Sequence, residues 1–237
     1  MSEYFPSAEE FERLSRDASV VPVYREVIAD RLTPVLAHAT LGRKPGSYLL
    51  ESVTGGETWA RYSFVGFAPE VIVRGVADKF ERVLDGDVQQ ELGVDTWHRL
   101  RETLAEWKPP EVDWLPRFWG GAVGYASYDS VRTFEPTVGD ALTRDDDWEV
   151  CFAIGGTVLI FDNVRGTLRV VVPVRVDADA RAAYERATGR IEAALDALDS
   201  PVLPRRLHPP ASSGDLELPA SSFDRPGFCA AVERAKE

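Results

Sequence analysis

Cysteine and histidine are the scarce chemistry of this chain. Of 237 residues, only Cys151 and Cys229 carry thiols and only His38, His98 and His208 carry imidazoles. The two cysteines show no metal-like spacing and read as reduced, small apolar groups rather than a disulfide or a zinc site. None of the histidines stands in a motif with a nucleophile or a carboxylate pair, so they read as surface or packing residues. A His-Glu-x-x-His pattern, a Gly-x-Ser-x-Gly elbow and a Gly-x-x-x-x-Gly-Lys phosphate loop are all absent, which removes the zinc peptidase, serine hydrolase and P-loop readings. No apolar run approaches the roughly 20 residues of a membrane span. The start, Met1 to Pro6, has neither the basic stretch nor the apolar core of a signal peptide, so a cytoplasmic protein is expected. Basic side chains are outnumbered 27 to 39, giving a net charge of −12. That surface repels a phosphate backbone and an anionic bilayer, so neither nucleic acid nor membrane is expected as a partner.

What is present is a chain rich in strands. A helix is expected from Ser7, where Ser7 and Glu10 form a capping box ahead of Phe11 and Leu14. Val20 to Tyr24 reads as a strand. A second helix has Thr33 as cap, Pro34 in its first turn and Gly42 past its end. Strand-like runs follow at 47–53, 58–65, 71–74, 80–84 and 88–91, with Gly55-Gly56 and Asp85-Gly86 as hairpin signals. Asp95 starts a third helix through Trp97, Leu100, Leu104 and Trp107, closed by Pro109-Pro110. Residues 118–126 read as a glycine-rich strand. Residues 150–154, 158–161 and 168–176 read as a meander turning at Gly155-Gly156 and 163–166. Asp177 to Leu198 is a long alanine-rich helix, and residues 200–220, with five prolines, read as a linker. Asp224, Pro226, Phe228, Val232 and Ala235 then open an amphipathic helix that halts at Glu237 without a C-cap, as in a truncated domain. Antiparallel strands with segregated helices predict an α+β fold.

Three stretches invite a chemical reading. Asp145-Asp146-Asp147 reads as a solvated acidic loop rather than a cation site. Gly120-Gly121-Ala122-Val123-Gly124 has the wrong spacing for a dinucleotide loop. Leu49-Leu50-Glu51-Ser52 offers, on a strand, Leu49 and Glu51 on one side and Leu50 and Ser52 on the other. A hydroxyl and a carboxylate between apolar residues suit a small amino-acid ligand, whose ammonium needs acceptors. From the residues alone the plainer reading, a core strand whose serine bonds to backbone, stands ahead of the ligand site, and both stay open.

Beyond single motifs, their order resembles a family. Pro22-Val23-Tyr24-Arg25, then Thr33-Pro34-Val35 with Leu41, precede Leu49–Ser52. Arg61-Tyr62-Ser63-Phe64-Val65-Gly66 and Pro69 follow, then Trp119–Tyr125 running on to Tyr128-Asp129, and finally Val158–Asp162, with Asn163 where relatives often carry His. This succession, over about residues 20–175, resembles the amino-terminal half of anthranilate synthase component I, and residues 221–237 resemble the start of its chorismate-binding half. The resemblance implies an α+β fold, mostly antiparallel sheet with flanking helices. It implies a regulatory region at 1–199, a linker at 200–220 and the beginning of a catalytic domain at 221–237. The activity it implies is conversion of chorismate and ammonia to anthranilate and pyruvate. A glutamine amidotransferase subunit is the implied partner, and the implied cofactor is Mg²⁺ held by the other half. L-Tryptophan is the implied inhibitor. Leu50, Glu51 and Ser52 carry over as its site, with Tyr62 and Ser63, beside Arg61, on the partner strand of the same motif. Gly120, Gly121, Gly124, Tyr125 and Tyr128 carry over as structural, the two tyrosines packing across the sheet. No catalytic residue falls in this chain, which is expected to be inactive alone. Two alternatives share the pattern: aminodeoxychorismate synthase component I of folate biosynthesis, and a non-enzymatic amino-acid-binding regulatory module.

Overall fold

A computed structural model of the chain describes residues 3–52, 61–76, 78–84, 86–135, 137, 147–176, 178–200 and 221–236. The chain divides into two units, Met1–Pro204 and Arg205–Glu237. The first holds two five-stranded antiparallel sheets. Sheet A has the order β1-β10-β9-β3-β2 and sheet B the order β6-β5-β4-β8-β7. Sheet A is built from β1 (Val20–Ile28), β2 (Tyr48–Leu50), β3 (Tyr62–Phe67), β9 (Thr157–Asp162) and β10 (Thr167–Arg175). Sheet B is built from β4 (Val71–Val76), β5 (Lys79–Leu84), β6 (Asp87–Leu92), β7 (Ala122–Ala126) and β8 (Val150–Ile154). The expected α+β class is the observed one.

Local chemistry explains why the helices start where they do. In α1 (Ala8–Leu14) the Ser7 hydroxyl accepts from the Glu10 N–H, while the Glu10 carboxylate turns to Arg13, so only half of the capping box forms. In α2 (Pro34–Leu41) the Thr33 hydroxyl accepts from the Leu36 N–H at 3.1 Å. In α3 (Thr96–Ala105) the Asp95 carboxylate accepts from the N–H groups of Trp97 and His98. Asp179 does the same for Ala182 at the head of α4 (Ala180–Asp199). The second unit carries α5 (Arg225–Lys236), where the Asp224 carboxylate accepts from the Gly227 N–H at 2.8 Å.

Sheet A is covered on both faces. Val21, Val23, Val65, Leu159, Phe161, Leu168, Val170 and Val172 meet Phe11 of α1, Ala37 of α2 and Ala187, Ile191 and Ala194 of α4 in the main core. On the opposite face Val158, Ile160 and Val171 meet Leu115 and the aromatic rings of Trp114 and Phe118, all from the connection between α3 and β7. Every residue of β9 is buried, which is why it reads as a continuous apolar run rather than an alternating one. Sheet B has a smaller core, where α3 lays Leu100 against Val71, Val73, Phe80 and Ile154.

Three expectations change. The stretch 150–176 is not a meander: β8 pairs with β4 and β7 in sheet B, while β9 pairs with β3 and β10 in sheet A. Gly155 and Gly156, at φ +71° and +90°, carry the chain across from one sheet to the other instead of folding it back. Tyr125 and Tyr128 do not pack across the sheet. β7 is an edge strand of sheet B, and the two rings are 52% and 87% exposed. The strand expected at 118–126 begins only at Ala122, because Phe118 turns to the far face of sheet A. Gly55-Gly56, Asp85, Asp145-Asp146, His208 and the linker at 201–220 lie outside the described residues.

Truncating a side chain inside this layered core has a defined cost. Ile191→Ala on α4, fully buried, is expected to lower unfolding free energy by about 2–5 kcal/mol in urea titrations. Val88→Ala, on the exposed edge strand β6, is expected to stay within about 0.5 kcal/mol of the parent.

Candidate functional site

The expected site residues are positioned by the short pairing of β2 with β3. Its register sets Tyr48 opposite Gly66, Leu49 opposite Val65 and Leu50 opposite Phe64. Gly66 is required there, because a Cβ at that position would collide with the Tyr48 ring. Burial on this floor raises the Tyr48 phenol above its ordinary pKa. Leu49 turns toward the helices and joins the main core, while Leu50 turns to the opposite face. The strand ends at Leu50, so Glu51 and Ser52 leave the alternation expected of them.

On that opposite face lies an open groove of about 530 Å³, lined by Leu49, Leu50, Glu51, Ser52, Tyr62, Phe64 and Phe118. Glu51 and Ser52 are exposed at its rim. Phe118 meets Phe64 edge-on, with ring centroids 5.0 Å apart and planes at 90°, and approaches Tyr48 at 6.4 Å. The loop that delivers Phe118 is itself fixed. Trp114 stacks on Tyr24 at 5.6 Å and receives Phe5 in an edge contact at 4.8 Å. The groove thus offers an aromatic wall, a hydroxyl and one carboxylate, with no Lys or Arg among its described lining residues. That combination suits a flat apolar body carrying an ammonium.

Four of the five expected residues, Leu50, Glu51, Ser52 and Tyr62, come together in this groove. The fifth, Ser63, does not. Strand alternation turns it to the helix-side face, where it is 1% exposed and its hydroxyl accepts from the Asn163 side-chain amide at 3.1 Å. Asn163, the departure from the family pattern, therefore serves as the partner of Ser63. Arg61 is committed to structure. Its guanidinium stacks over Tyr62 at 4.8 Å and makes a two-pronged pair with Asp162 at 2.7 and 3.2 Å. Phe64 and Phe118 are additions to the expected set. Phe64 was available from alternation with Tyr62. Phe118 carried no signal, since it arrives across about fifty residues of chain.

Asp162 closes this end of β3 and β9. Its carboxylate also accepts from the N–H groups of Val164 and Arg165, each at 3.2 Å. Burial pushes its pKa up, but the hydrogen bonds from Arg61 and from the Arg165 N–H outweigh burial and hold it below the ordinary 3.8. Elsewhere, His98 sits on the exposed face of α3 with Nε2 at 3.2 Å from Glu102, and His38 lies in α2. Among the described residues, no group of three or more His, Cys, Asp or Glu side chains is placed to hold a metal ion. The Mg²⁺ implied by the family resemblance has no ligand set there. Among the described residues, no helix is long and apolar enough to cross a membrane.

Curated proteins of one name match the chain over most of its length. The chain is 35% identical over 234 residues to "Anthranilate synthase component 1" of Pseudomonas aeruginosa, covering 97% of this chain and 47% of that protein. It is 34% identical over 187 residues to the protein of the same name from Aquifex aeolicus, covering 78% and 38%. A crystal structure of anthranilate synthase component I from Streptococcus pneumoniae TIGR4 covers 89% of this chain and 44% of its own, at 21% identity and a TM-score of 0.45. No protein-family model matches the chain. The chain spans about half the length of the curated relatives it matches.

The depressed Asp162 carboxyl has a consequence for acid stability. A carboxyl whose folded pKa lies below its unfolded value stabilises the fold above the unfolded value, and that contribution is lost as pH falls through the folded one. Asp162→Asn is expected to cost about 1–3 kcal/mol at neutral pH. The variant should also lose stability less steeply than the parent as pH falls below about 4, in urea titrations run across that range.

Proposed function

We propose that this chain, 35% identical to an anthranilate synthase component 1 over 97% of its own length and spanning about half the length of that relative, is the tryptophan-sensing portion of such an enzyme. In this reading residues 1–199 are the regulatory region, and residues 221–237 begin the chorismate-binding part. The whole protein is a cytoplasmic lyase that converts chorismate and ammonia to anthranilate and pyruvate. Ammonia comes from a glutamine amidotransferase subunit, and Mg²⁺ is held by residues outside this chain.

One observation carries the reading: Leu50, Glu51 and Ser52 converge with Tyr62, Phe64 and Phe118 on a single groove. An indole fits against the Phe64–Phe118 wall, where aromatic pairs contribute about 0.5–1.5 kcal/mol beyond burial. The ligand ammonium finds its counter-charge in Glu51, a hydrogen bond of about 1.5–3 kcal/mol. Ser52 supplies a hydroxyl at the same rim. Inhibition follows if the tryptophan-bound conformation binds chorismate poorly. Such coupling is reciprocal and typically about 1–3 kcal/mol, so chorismate weakens tryptophan binding by the same factor.

Calorimetric titration of L-tryptophan into this chain is expected to give saturable heat, with L-phenylalanine weaker. Phe118→Ala is expected to weaken tryptophan about tenfold, the loss of about 1.4 kcal/mol. No saturable heat at millimolar tryptophan would show that these residues do not make a sufficient effector pocket. In the full-length enzyme, Ser52→Arg is expected to abolish tryptophan inhibition while ammonia-dependent turnover stays within about twofold. Inhibition at unchanged potency would remove Ser52 from the site. The 237 residues alone are expected to form no anthranilate, and Mg²⁺-dependent product from them would place the active site in this chain.

A further inference from the structure

The two sheets are joined where two segments cross side by side. One is Ala68-Pro69-Glu70, leading from β3 to β4, and the other is Gly155-Gly156, leading from β8 to β9. The segments touch backbone to backbone. A Cβ at Gly156 would stand 2.7 Å from the Phe67 carbonyl oxygen and 2.9 Å from both the Ala68 carbonyl oxygen and the Pro69 Cα. The Glu70 N–H donates to the Ile154 carbonyl at 3.0 Å, and the Gly155 N–H donates to the Gly121 carbonyl, also at 3.0 Å. Ala68 has φ +49° and, among the described residues, is the only non-glycine in the left-handed region. An L-residue resists that conformation, so the turn is held by what surrounds it.

What holds it from outside is α4. The Arg190 guanidinium donates to the Glu70 carboxylate at 3.2 Å and to the Thr157 hydroxyl at 3.3 Å. One side chain therefore grips both crossing segments, and Thr157 is 2% exposed. The crossing is connected to the groove along the strands that build it. Phe67, next to Ala68, ends the strand that carries Tyr62 and Phe64. The loop leading into β2 packs on the same place: a Cβ at Gly46 would lie 2.8 Å from Pro69 Cγ and 3.1 Å from Ile72 Cδ1. Both strands that build the groove thus run into the crossing, and sheet B begins on its other side.

We propose that this crossing is a hinge between the two sheets, latched by Arg190, through which occupancy of the groove on sheet A is read by sheet B. The proposal rests on the reading of the groove as a tryptophan site. A ligand wedged between β2, β3 and the Phe118 loop shifts the ends of both strands. The left-handed Ala68 turn and the paired glycines absorb that shift as rotation, and the Arg190 latch passes it to β4 and β8 as a unit. Close-packed backbone transmits such a displacement, because no side chain is interposed to yield.

The test combines tryptophan calorimetry with amide hydrogen exchange by NMR on the parent chain, Arg190→Gln and Thr157→Val. The last keeps the shape of Thr157 and breaks one arm of the latch. In the parent, saturating L-tryptophan is expected to slow exchange in β2 and β3 and also in β4 and β8. In Arg190→Gln the binding heat is expected to persist with affinity within about threefold. Its protection of β2 and β3 remains, while the response of β4 and β8 falls about fivefold or more. Thr157→Val should lie between the two. Tryptophan heat with no response of β4 and β8 in the parent overturns the hinge, as does an Arg190→Gln response equal to the parent's. If tryptophan gives no heat, it is the groove reading that fails, and exchange without ligand decides the hinge. Arg190→Gln must then speed exchange of the Glu70 and Gly155 amides about tenfold with the β9 interior unchanged. Uniform acceleration across both sheets, or none, overturns it.

Discussion

Strand β9 is the constraint on which this fold is arranged. It is bonded on one side to β10 and on the other to β3, and it is buried on both faces along its whole length. Leu159 and Phe161 fill the helix-side core, while Val158 and Ile160 fill the core under the loop from α3 to β7. A strand in that position has no solvent face, so each of its side chains fixes a neighbour. Its two ends are fixed as well. Asp162 is gripped by Arg61 and by the backbone of the following turn, and Thr157 is held by Arg190.

The groove exists because β3 lies next to β9 and divides its residues between two surfaces. Ser63 and Val65 turn inward and are sealed. Tyr62 and Phe64 turn outward and, with Phe118, leave an aromatic wall open. One pleat sets both faces: the alternation that buries Ser63 against Asn163 also aims Tyr62 at the groove. The short partner strand β2 brings Leu50, and the chain leaving it brings Glu51 and Ser52 to the rim.

Among the described residues, much of the ionic chemistry is structural. The titratable groups whose pKa values depart from ordinary are mostly carboxylates and guanidinium groups in ion pairs that tie elements together. The carboxyls of Asp162, Glu106 and Glu81, held low by Arg61, by Arg82 and by Lys79 with Arg74 respectively, are examples. Paired charges of this kind hold geometry.

Much of this protein is written locally. Ser7, Thr33, Asp95 and Asp179 cap helices because a short oxygen-bearing side chain ahead of a turn has unpaired N–H groups within reach, whatever the rest of the chain does. The α+β class and the long α4 follow from patterns along the chain, whereas the Leu50–Ser52 segment stands out only through the family resemblance of its motif. Tertiary structure decided what depends on distant neighbours. Gly155-Gly156 reads as a turn within one meander, and only the β4 and β3 partners on either side make it a crossing. Ser63 belongs to the same motif as Tyr62, yet the pairing with β9 sends it into the core. Phe118 reads as part of a strand and becomes the wall of the groove, because Trp114 and Leu115 anchor its loop on the far face of sheet A. Residues near in sequence share a local conformation, but only packing decides which surface each of them meets.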